Sequence, residues 1–180
     1  MAQEDVRTPG RQEAAPGLEL RLLRAVQASA PPAVALPAAR VLDRAGDHAA
    51  VWVLAAGVGA CVDRPRRAEW VRAGAVVLVA HAASVVLKRV ARRRRPAHQA
   101  VLVHVRTASR WSFPSSHATS TTAAAVAMAP LLGTRATALA PLVMAWSRML
   151  LGVHYPSDVL AGSLLGGAVA VLLRRRRPDR

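Results

Sequence analysis

Residues 159–173 read VLAGSLLGGAVAVLL and residues 118–128 read ATSTTAAAVAM, and neither stretch contains a charged side chain. A helix of a soluble protein needs a polar face toward water, whereas these stretches offer only Ser, Thr and Gly beside their apolar residues. Small residues of this kind pack between helices in a lipid environment. The two stretches therefore predict helices of a bundle embedded in a membrane.

Predominantly apolar stretches recur along the chain and predict about five membrane spans. They cover approximately residues 49–62, 73–87, 118–133, 136–151 and 159–173. Several are short for a bilayer core of about 30 Å, and stretches of about 14 to 17 residues also occur as buried helices of soluble bundles. We favour the membrane interpretation because the polar face is missing. The predicted fold class is all-α, a multi-pass transmembrane helical bundle with an N-terminal interfacial helix.

The composition is basic and poor in aromatic residues. A net charge of +15 predicts an acidic partner, which nucleic acid, anionic lipid headgroups or a phosphorylated substrate could supply. The arginine clusters at 64–67, 89–95 and 174–177 flank apolar stretches, and aromatic residues, at 3% of the chain, do not interleave with them. We therefore expect anionic lipid headgroups and a membrane lipid substrate as partners, and no nucleic acid.

The chain divides into four predicted segments. Residues 1–17 carry acidic residues, Pro and Gly without a hydrophobic stretch, which predicts a disordered tail and no signal peptide. Residues 18–47 alternate apolar residues with arginines and are interrupted by prolines, which indicates an amphipathic helix at the membrane surface. The membrane domain spans residues 48–173, and residues 174–180 form a basic C-terminal tail.

Two connections between the predicted helices contain the candidate chemistry. The first, residues 88–117, begins KRVARRRRP and ends PSSH, where the third span starts. The second, residues 147–158, reads SRMLLGVHYPSD. With five spans, these connections follow the second and the fourth span, so we expect both on the same side of the membrane.

These connections match a three-part signature, K-x6-RP, PSxH and SR-x5-H-x3-D, and residues 48–173 thereby resemble the type 2 phosphatidic acid phosphatase (PAP2) superfamily. Ten identities are fixed jointly in order and spacing: Lys88, Arg95, Pro96, Pro114, Ser115, His117, Ser147, Arg148, His154 and Asp158. Among 25 Lys and Arg residues, Lys88 is the only Lys, which makes its position specific. Ser116 stands where the family usually has Gly, and its bulk would slow or narrow the reaction.

The resemblance implies a phosphatase that hydrolyses lipid phosphate esters through a phosphohistidine. His154 would be the nucleophile, Asp158 the carboxylate that orients it, and His117 the general acid that protonates the leaving group. A phosphoryl group in transfer carries charge on three oxygens, so it needs several cations and donors. The predicted phosphate-binding residues are Lys88, Arg95, Arg148, Ser115 and Ser116, together with the first N–H groups of the helix near His117.

We expect no metal and no cofactor. Asp158 is the only carboxylate in the apolar core and the motif connections, which is too few for a magnesium or two-metal site. Asp158 can also cap the last helix, a role compatible with orienting His154. The other arginines of the first connection, Arg92, Arg93 and Arg94, are predicted to bind lipid headgroups.

The substrate is expected to be a lipid phosphomonoester of the cell membrane. The sequences SFPSSHATSTTAAA and LGVHYPSD also resemble actinobacterial decaprenylphosphoryl-5-phosphoribose phosphatases, which implies a polyprenyl-linked substrate whose head contacts residues 97–113. Phosphatidate, phosphatidylglycerol phosphate and undecaprenyl diphosphate remain open as substrates. Two other classes also remain open, a vanadium haloperoxidase and a non-catalytic lipid or anion carrier. The oligomeric state and the side of the membrane are not predicted.

Overall fold

The computed structural model describes residues 17–29 and 31–174, and within these ranges the chain forms helices and no strand. The α-helices are α1 (Leu18–Ala28), α2 (Pro32–Gly46), α3 (Ala50–Val62), α4 (Arg67–Ala91), α5 (Ser116–Leu132), α6 (Thr134–Leu150) and α7 (Pro156–Arg174). Short 3-10 turns, Asp47–Ala49 and Arg64–Arg66, precede α3 and α4. The all-α prediction is confirmed, while residues 1–16 and 175–180 of the tails expected at 1–17 and 174–180 lie outside the described residues.

The N-terminal segment forms two helices where the sequence suggested one. Pro32 starts α2 at its first position, where a missing N–H costs nothing, and this separates α2 from α1. Helix α1 packs on α6 and α7, and α2 packs on α6, α3 and α5. Leu23 and Ala39 are fully buried in these contacts. One face of the segment is therefore part of the bundle.

Helix α5 lies at the centre of the bundle, in contact with α4, α6 and α7. Its approach to α7 is closest at Gly162 and Gly166. A Cβ at these positions would collide with the main-chain oxygens of Ser115 and Thr119, respectively. The G-x-x-x-G spacing of these two residues in α7 thus allows backbone-to-backbone packing at the start of α5.

Two helical segments are long and apolar enough to cross a bilayer: Arg64–Ala91 and Pro156–Arg174. The bent pair α2 and α3, with 63° between its members, would make a third crossing. Helices α5 and α6 have 17 residues each, which corresponds to about 25 Å of helix. Each of the five expected stretches lies in a helix, but length and composition support two to three spans among the described residues.

Candidate active site

The two signature connections meet at one end of the bundle, as expected from the sequence. The Ser115 N–H donates to the Asp158 carbonyl at 2.9 Å, and Arg95 Nη1 donates to the Val153 carbonyl at 2.8 Å. Between them lies a cavity of about 450 Å3. Six of the eight predicted site residues line it: Lys88, Arg95, Ser116, His117, Arg148 and His154. The other two, Ser115 and Asp158, are completely buried.

His154 lies in the short connection between α6 and α7 and is 2% exposed. Its Nε2 is 3.2 Å from Arg95 Nη1, and its Nδ1 is 3.6 Å from Asp158 Oδ2. Burial, together with the charges of Arg95 and Arg148, holds the pKa of His154 well below its usual range. The imidazole is therefore neutral at neutral pH, which is the form that a nucleophile requires.

Asp158, in the first turn of α7, has both carboxylate oxygens engaged. Oδ2 accepts from the Tyr155 N–H at 2.8 Å and faces His154, while Oδ1 accepts from Arg93 Nη1 at 2.9 Å. The contact at the start of α7 is therefore present, whereas the 3.6 Å between Asp158 Oδ2 and His154 Nδ1 is longer than a hydrogen bond, so the orienting role stays a prediction. A buried carboxylate also needs a compensating charge, and Arg93 supplies it.

Arg93 contradicts the expectation that it binds only lipid headgroups. Besides Asp158, its guanidinium contacts the Ser157 hydroxyl at 2.6 Å and the Glu19 carboxylate of α1, and it stacks 4.2 Å from the Tyr155 ring centroid. A planar guanidinium can satisfy several acceptors at once, which explains how one side chain joins α1 to the start of α7. The signature gave no signal for it, since Arg93 lies at a variable position.

The three predicted phosphate-binding cations are held by protein oxygens. Lys88 Nζ donates to the carbonyls of Pro114 at 2.6 Å and Ser112 at 3.3 Å. Arg95 Nε donates to the Ser109 carbonyl at 2.8 Å. Burial and the nearby Arg148 lower the pKa of Arg95 to about 10, so it stays charged at neutral pH. These contacts fix the cations around the cavity before any anion binds.

Arg148 is 1% exposed and pairs through Nη1 with the Asp43 carboxylate of α2. Its Nε is buried without a hydrogen-bond partner in the part of the chain that the structure describes. An unpaired guanidinium N–H is costly inside a protein. Arg148 therefore has donor capacity left for an anion in the cavity.

The two serines of the PSSH segment have different surroundings. The Ser115 hydroxyl accepts from the Ala118 N–H at 3.4 Å and caps α5, so its side chain is directed to the helix end. Ser116 lines the cavity, and its hydroxyl is 2.8 Å from the Ser84 hydroxyl of α4. The side chain that replaces the usual Gly is thus accommodated by a small polar residue on the neighbouring helix.

His117 contacts the end of α2, a segment that sequence reasoning had placed outside the site. Its Nε2 is 3.0 Å from the Asp43 carbonyl oxygen, 3.8 Å from Asp43 Oδ1 and 3.7 Å from Asp47 Oδ1. Its ring lies against Gly46, where a Cβ would overlap it. A signal for this was present, since Glu19, Asp43 and Asp47 are the only acidic residues of 18–47.

Asp43 and Asp47 add two carboxylates near the site, whereas the expectation of no metal assumed that Asp158 was the only one. Asp43, Asp47 and His117 bring three possible ligand atoms within 4.8 Å of one another. However, the Asp43 carboxylate already pairs with Arg148, and the Asp47 side chain is 60% exposed. This donor set fits a cation poorly because an arginine occupies one of its two carboxylates.

The connection 97–113 forms one side of the cavity. Arg106, Ser109 and Trp111 line it, whereas Arg110 stacks over the Trp111 ring at 4.5 Å from the centroid. The His104 N–H donates to the Leu151 carbonyl at 3.1 Å, which ties this connection to the one that carries His154. Of the side chains expected to contact a substrate head, Arg106 and Trp111 are therefore the best placed.

A helix bundle with a buried histidine and three cations on one cavity is the arrangement expected of a membrane lipid phosphatase. Residues 69–180 match the PAP2 superfamily. The chain belongs to this superfamily. The match begins within α4, so α1, α2 and α3 lie outside it.

Curated relatives and solved structures agree with this assignment. The chain is 51% identical over 150 residues to a decaprenylphosphoryl-5-phosphoribose phosphatase of Mycolicibacterium smegmatis, covering 82% of this chain and 83% of that protein. It is 46% identical over 162 residues to one of Mycobacterium tuberculosis, covering 89% and 92%.

Two crystal structures share the fold. One is a transmembrane PAP2 type phosphatidylglycerolphosphate phosphatase from Bacillus subtilis, with a TM-score of 0.70 and 20% identity over 89% of each chain. The other is Aquifex aeolicus LpxE, with a TM-score of 0.68 and 18% identity over 88% of this chain and 96% of that one.

Proposed function

We propose that this chain removes the phosphate of decaprenylphosphoryl-5-phosphoribose, or of a close polyprenyl phosphoribosyl lipid, in the cell membrane. The substrate class is supported by the curated relatives, which share about half of the residues over most of both chains. The observation that carries the chemistry is the position of His154, a neutral imidazole next to Arg95 with a carboxylate behind it.

In the first step, His154 Nε2 attacks phosphorus and the ester P–O bond breaks. The electron pair of that bond goes to the leaving oxygen, which takes a proton from His117, and a phosphohistidine forms. In the second step, neutral His117 accepts a proton from water as the water oxygen attacks phosphorus. The P–N bond breaks, inorganic phosphate leaves, and both histidines return to their starting states.

The cations around the cavity stabilise the charge that develops on the transferring group. Arg95 Nη1 lies 3.2 Å from the attacking nitrogen of His154, so it can contact an oxygen of the phosphoryl group under attack. Lys88 and Arg148 line the same cavity. Ser116, the first residue of α5, also lines it. Fixed donors of this kind stabilise three equatorial oxygens without rearranging during the reaction.

The test is phosphate release from a panel of purified lipid phosphates in detergent with excess chelator. We expect the phosphoribosyl polyprenyl lipid to be hydrolysed faster than phosphatidate, phosphatidylglycerol phosphate or undecaprenyl diphosphate. Vanadate should block the reaction, since it occupies a phosphate site. The variant His154→Ala should lose turnover and acid-labile bound phosphate. His98→Ala is the matched control, because His98 does not line the cavity.

Each alternative gives a different result in this panel. Comparable rates on all lipids would leave a broad lipid phosphatase and defeat the specific substrate. Phosphate release from none of them would favour a lipid or anion carrier. Activity lost in chelator and restored by magnesium would show that Asp43, Asp47 and His117 hold a metal, against our expectation.

A further inference from the structure

Helix α2 ends at Gly46, so the Asp43 carbonyl is one of its last four and lacks a partner within the helix. His117 Nε2 lies 3.0 Å from that oxygen. A carbonyl oxygen can only accept a hydrogen bond, so this contact requires a proton on Nε2. The end of α2 therefore fixes which ring nitrogen of His117 is protonated in the neutral state. When His117 is cationic, the proton on its other nitrogen is the one available for transfer.

The same helix end carries negative charge toward His117. Asp43 Oδ1 and Asp47 Oδ1 lie 3.8 and 3.7 Å from Nε2, too far for good hydrogen bonds but close enough for strong electrostatic attraction. The C-terminus of a helix also bears a partial negative charge that stabilises a histidine cation. All three contributions favour the imidazolium form of His117.

Other neighbours of His117 act in the opposite direction. Arg148 of α6 and Lys88 of α4 line the same cavity, and the His117 side chain is 15% exposed. Burial and these nearby cations disfavour a positive charge on the imidazole, and they lower the pKa of His117 to about 4 in spite of the Asp43 contacts. His154, on the connection to α7, lines the same cavity, and it is neutral. Among the described residues around His117, the end of α2 and its 3-10 turn thus supply the opposing negative charge.

Gly46 brings the ring into contact with this helix end. A Cβ at position 46 would overlap the His117 imidazole and also approach Met144. The contact between His117 and α2 therefore depends on the absence of a side chain there. The Cδ2 and Nε2 atoms of the ring lie against the Gly46 backbone, which restricts the positions that the ring can take.

We propose that Asp43, assisted by Asp47, is a positioning residue that stabilises the protonated form of His117 and holds its ring at the cavity wall for its role as general acid. A segment outside the matched family region thus acts against the loss of a proton from a residue inside it. This proposal rests on the proposed function, in which His117 protonates the leaving group.

The experiment is the pH dependence of kcat for Asp43→Asn, which keeps the carbonyl and the side-chain shape but removes the charge. The basic limb of the profile, where His117 loses its proton, should move to lower pH by about one unit, as expected for the loss of an opposite charge within about 4–6 Å. Asp63→Asn is the control, since it makes the same change at the end of α4 that is far from the cavity, beside Arg66 and Trp70. It should leave the pH profile unchanged.

A uniform loss of kcat with an unmoved basic limb would overturn the proposal and leave Asp43 as a partner of Arg148 alone. Should Asp43→Asn fail to fold, Asp47→Asn serves instead, because Asp47 is 60% exposed and has no pairing with Arg148 in the described contacts. It should shift the basic limb in the same direction by a smaller amount. An unmoved limb in Asp47→Asn would then reject the proposal.

A second readout separates this proposal from the proposed function. The titration of the His117 imidazole, followed by NMR of histidine-labelled protein in detergent, does not require turnover. Its midpoint should be lower in Asp43→Asn than in the unsubstituted protein. If lipid phosphates are not hydrolysed but this midpoint shifts, the proposed function is wrong and the effect of α2 on His117 stands. An equal midpoint in both proteins rejects the effect of α2 on His117, whatever the activity.

Discussion

His154 and His117 line one cavity, yet their surroundings differ. His154 is 2% exposed, with Arg95 next to Nε2 and the Asp158 carboxylate behind Nδ1. His117 is 15% exposed and faces the C-terminal end of α2. Burial and cations lower the pKa of both imidazoles, to about 4 at His117, but at His117 the Asp43 carbonyl and carboxylate act against this lowering. The comparison shows that one residue type has two different surroundings within one site, as the proposed roles of nucleophile and acid require.

The two environments also come from different parts of the chain. Residues of the two signature connections surround His154, and most of them are positions that the signature fixes. The contacts of His117 Nε2 come from α2 and the turn that follows it, which lie outside the matched family region. A signature can therefore identify both histidines while describing the surroundings of only one.

The largest expected effect distinguishes the roles of the two histidines by the need of the leaving group for a proton. His117→Ala should slow hydrolysis of the lipid by about 10²- to 10⁴-fold, the usual contribution of general acid catalysis. An aryl phosphate, whose leaving group needs no proton, should still phosphorylate His154 in this variant. It should release a burst of one equivalent of the phenol per enzyme. His154→Ala should give no burst with either substrate. Rapid-quench kinetics would measure this, and a burst from His154→Ala would reverse the two assignments.

A smaller effect is expected at Arg93, which holds Asp158 and thereby orients His154. Arg93→Gln should lower kcat about tenfold, equivalent to about 1.4 kcal/mol of activation free energy, with little change in KM. Arg93→Lys should recover part of the loss. Arg92→Gln is the control, since the Arg92 side chain bonds to the Arg89 carbonyl of its own helix.

Steady-state kinetics on the lipid substrate would provide these values. A change in KM at constant kcat for Arg93→Gln would show that Arg93 contacts the substrate and does not act through Asp158. Equal losses in Arg92→Gln and Arg93→Gln would instead support the original expectation that this arginine run only binds lipid headgroups.

The smallest expected effect concerns the substrate head and should leave both histidines undisturbed. Arg106→Gln should raise KM for the phosphoribosyl lipid about threefold, because a contact made equally in ground and transition states alters KM and not kcat. KM for a simple polyprenyl phosphate should change less. Arg110→Gln should have a weaker effect, as Arg110 stacks on Trp111 outside the cavity lining. Equal KM changes for the two lipids would remove Arg106 from head recognition.

Much of the architecture could be predicted from the sequence because uncharged stretches and signature spacing are local properties. The bundle, the helices at the five apolar stretches and the meeting of the two connections followed from them. Length and composition identify two to three candidate spans among the described residues, fewer than the five expected, because α5 and α6 have only 17 residues each. The break between α1 and α2 was suggested by the prolines, but the single-helix interpretation overlooked it.

The site was predictable to the extent that the signature fixes its members. Six predicted residues line the cavity, but the partners that hold them did not follow from spacing. Asp43 pairs with Arg148 across 105 positions, and Glu19 with Arg93 across 74. Such pairs arise from how α1 and α2 pack on the bundle, which no local pattern encodes. The charge of these residues was still informative, since acidic side chains are scarce in the segment.

The close contact between α5 and α7 at Gly162 and Gly166 has a mechanical consequence. Because backbone touches backbone there, and the Ser115 N–H donates to the Asp158 carbonyl, the start of α5 and the start of α7 are held in one register. His117 and Asp158 lie in these two first turns. We therefore expect a tilt of α5 and α7 within the bilayer to carry both residues together.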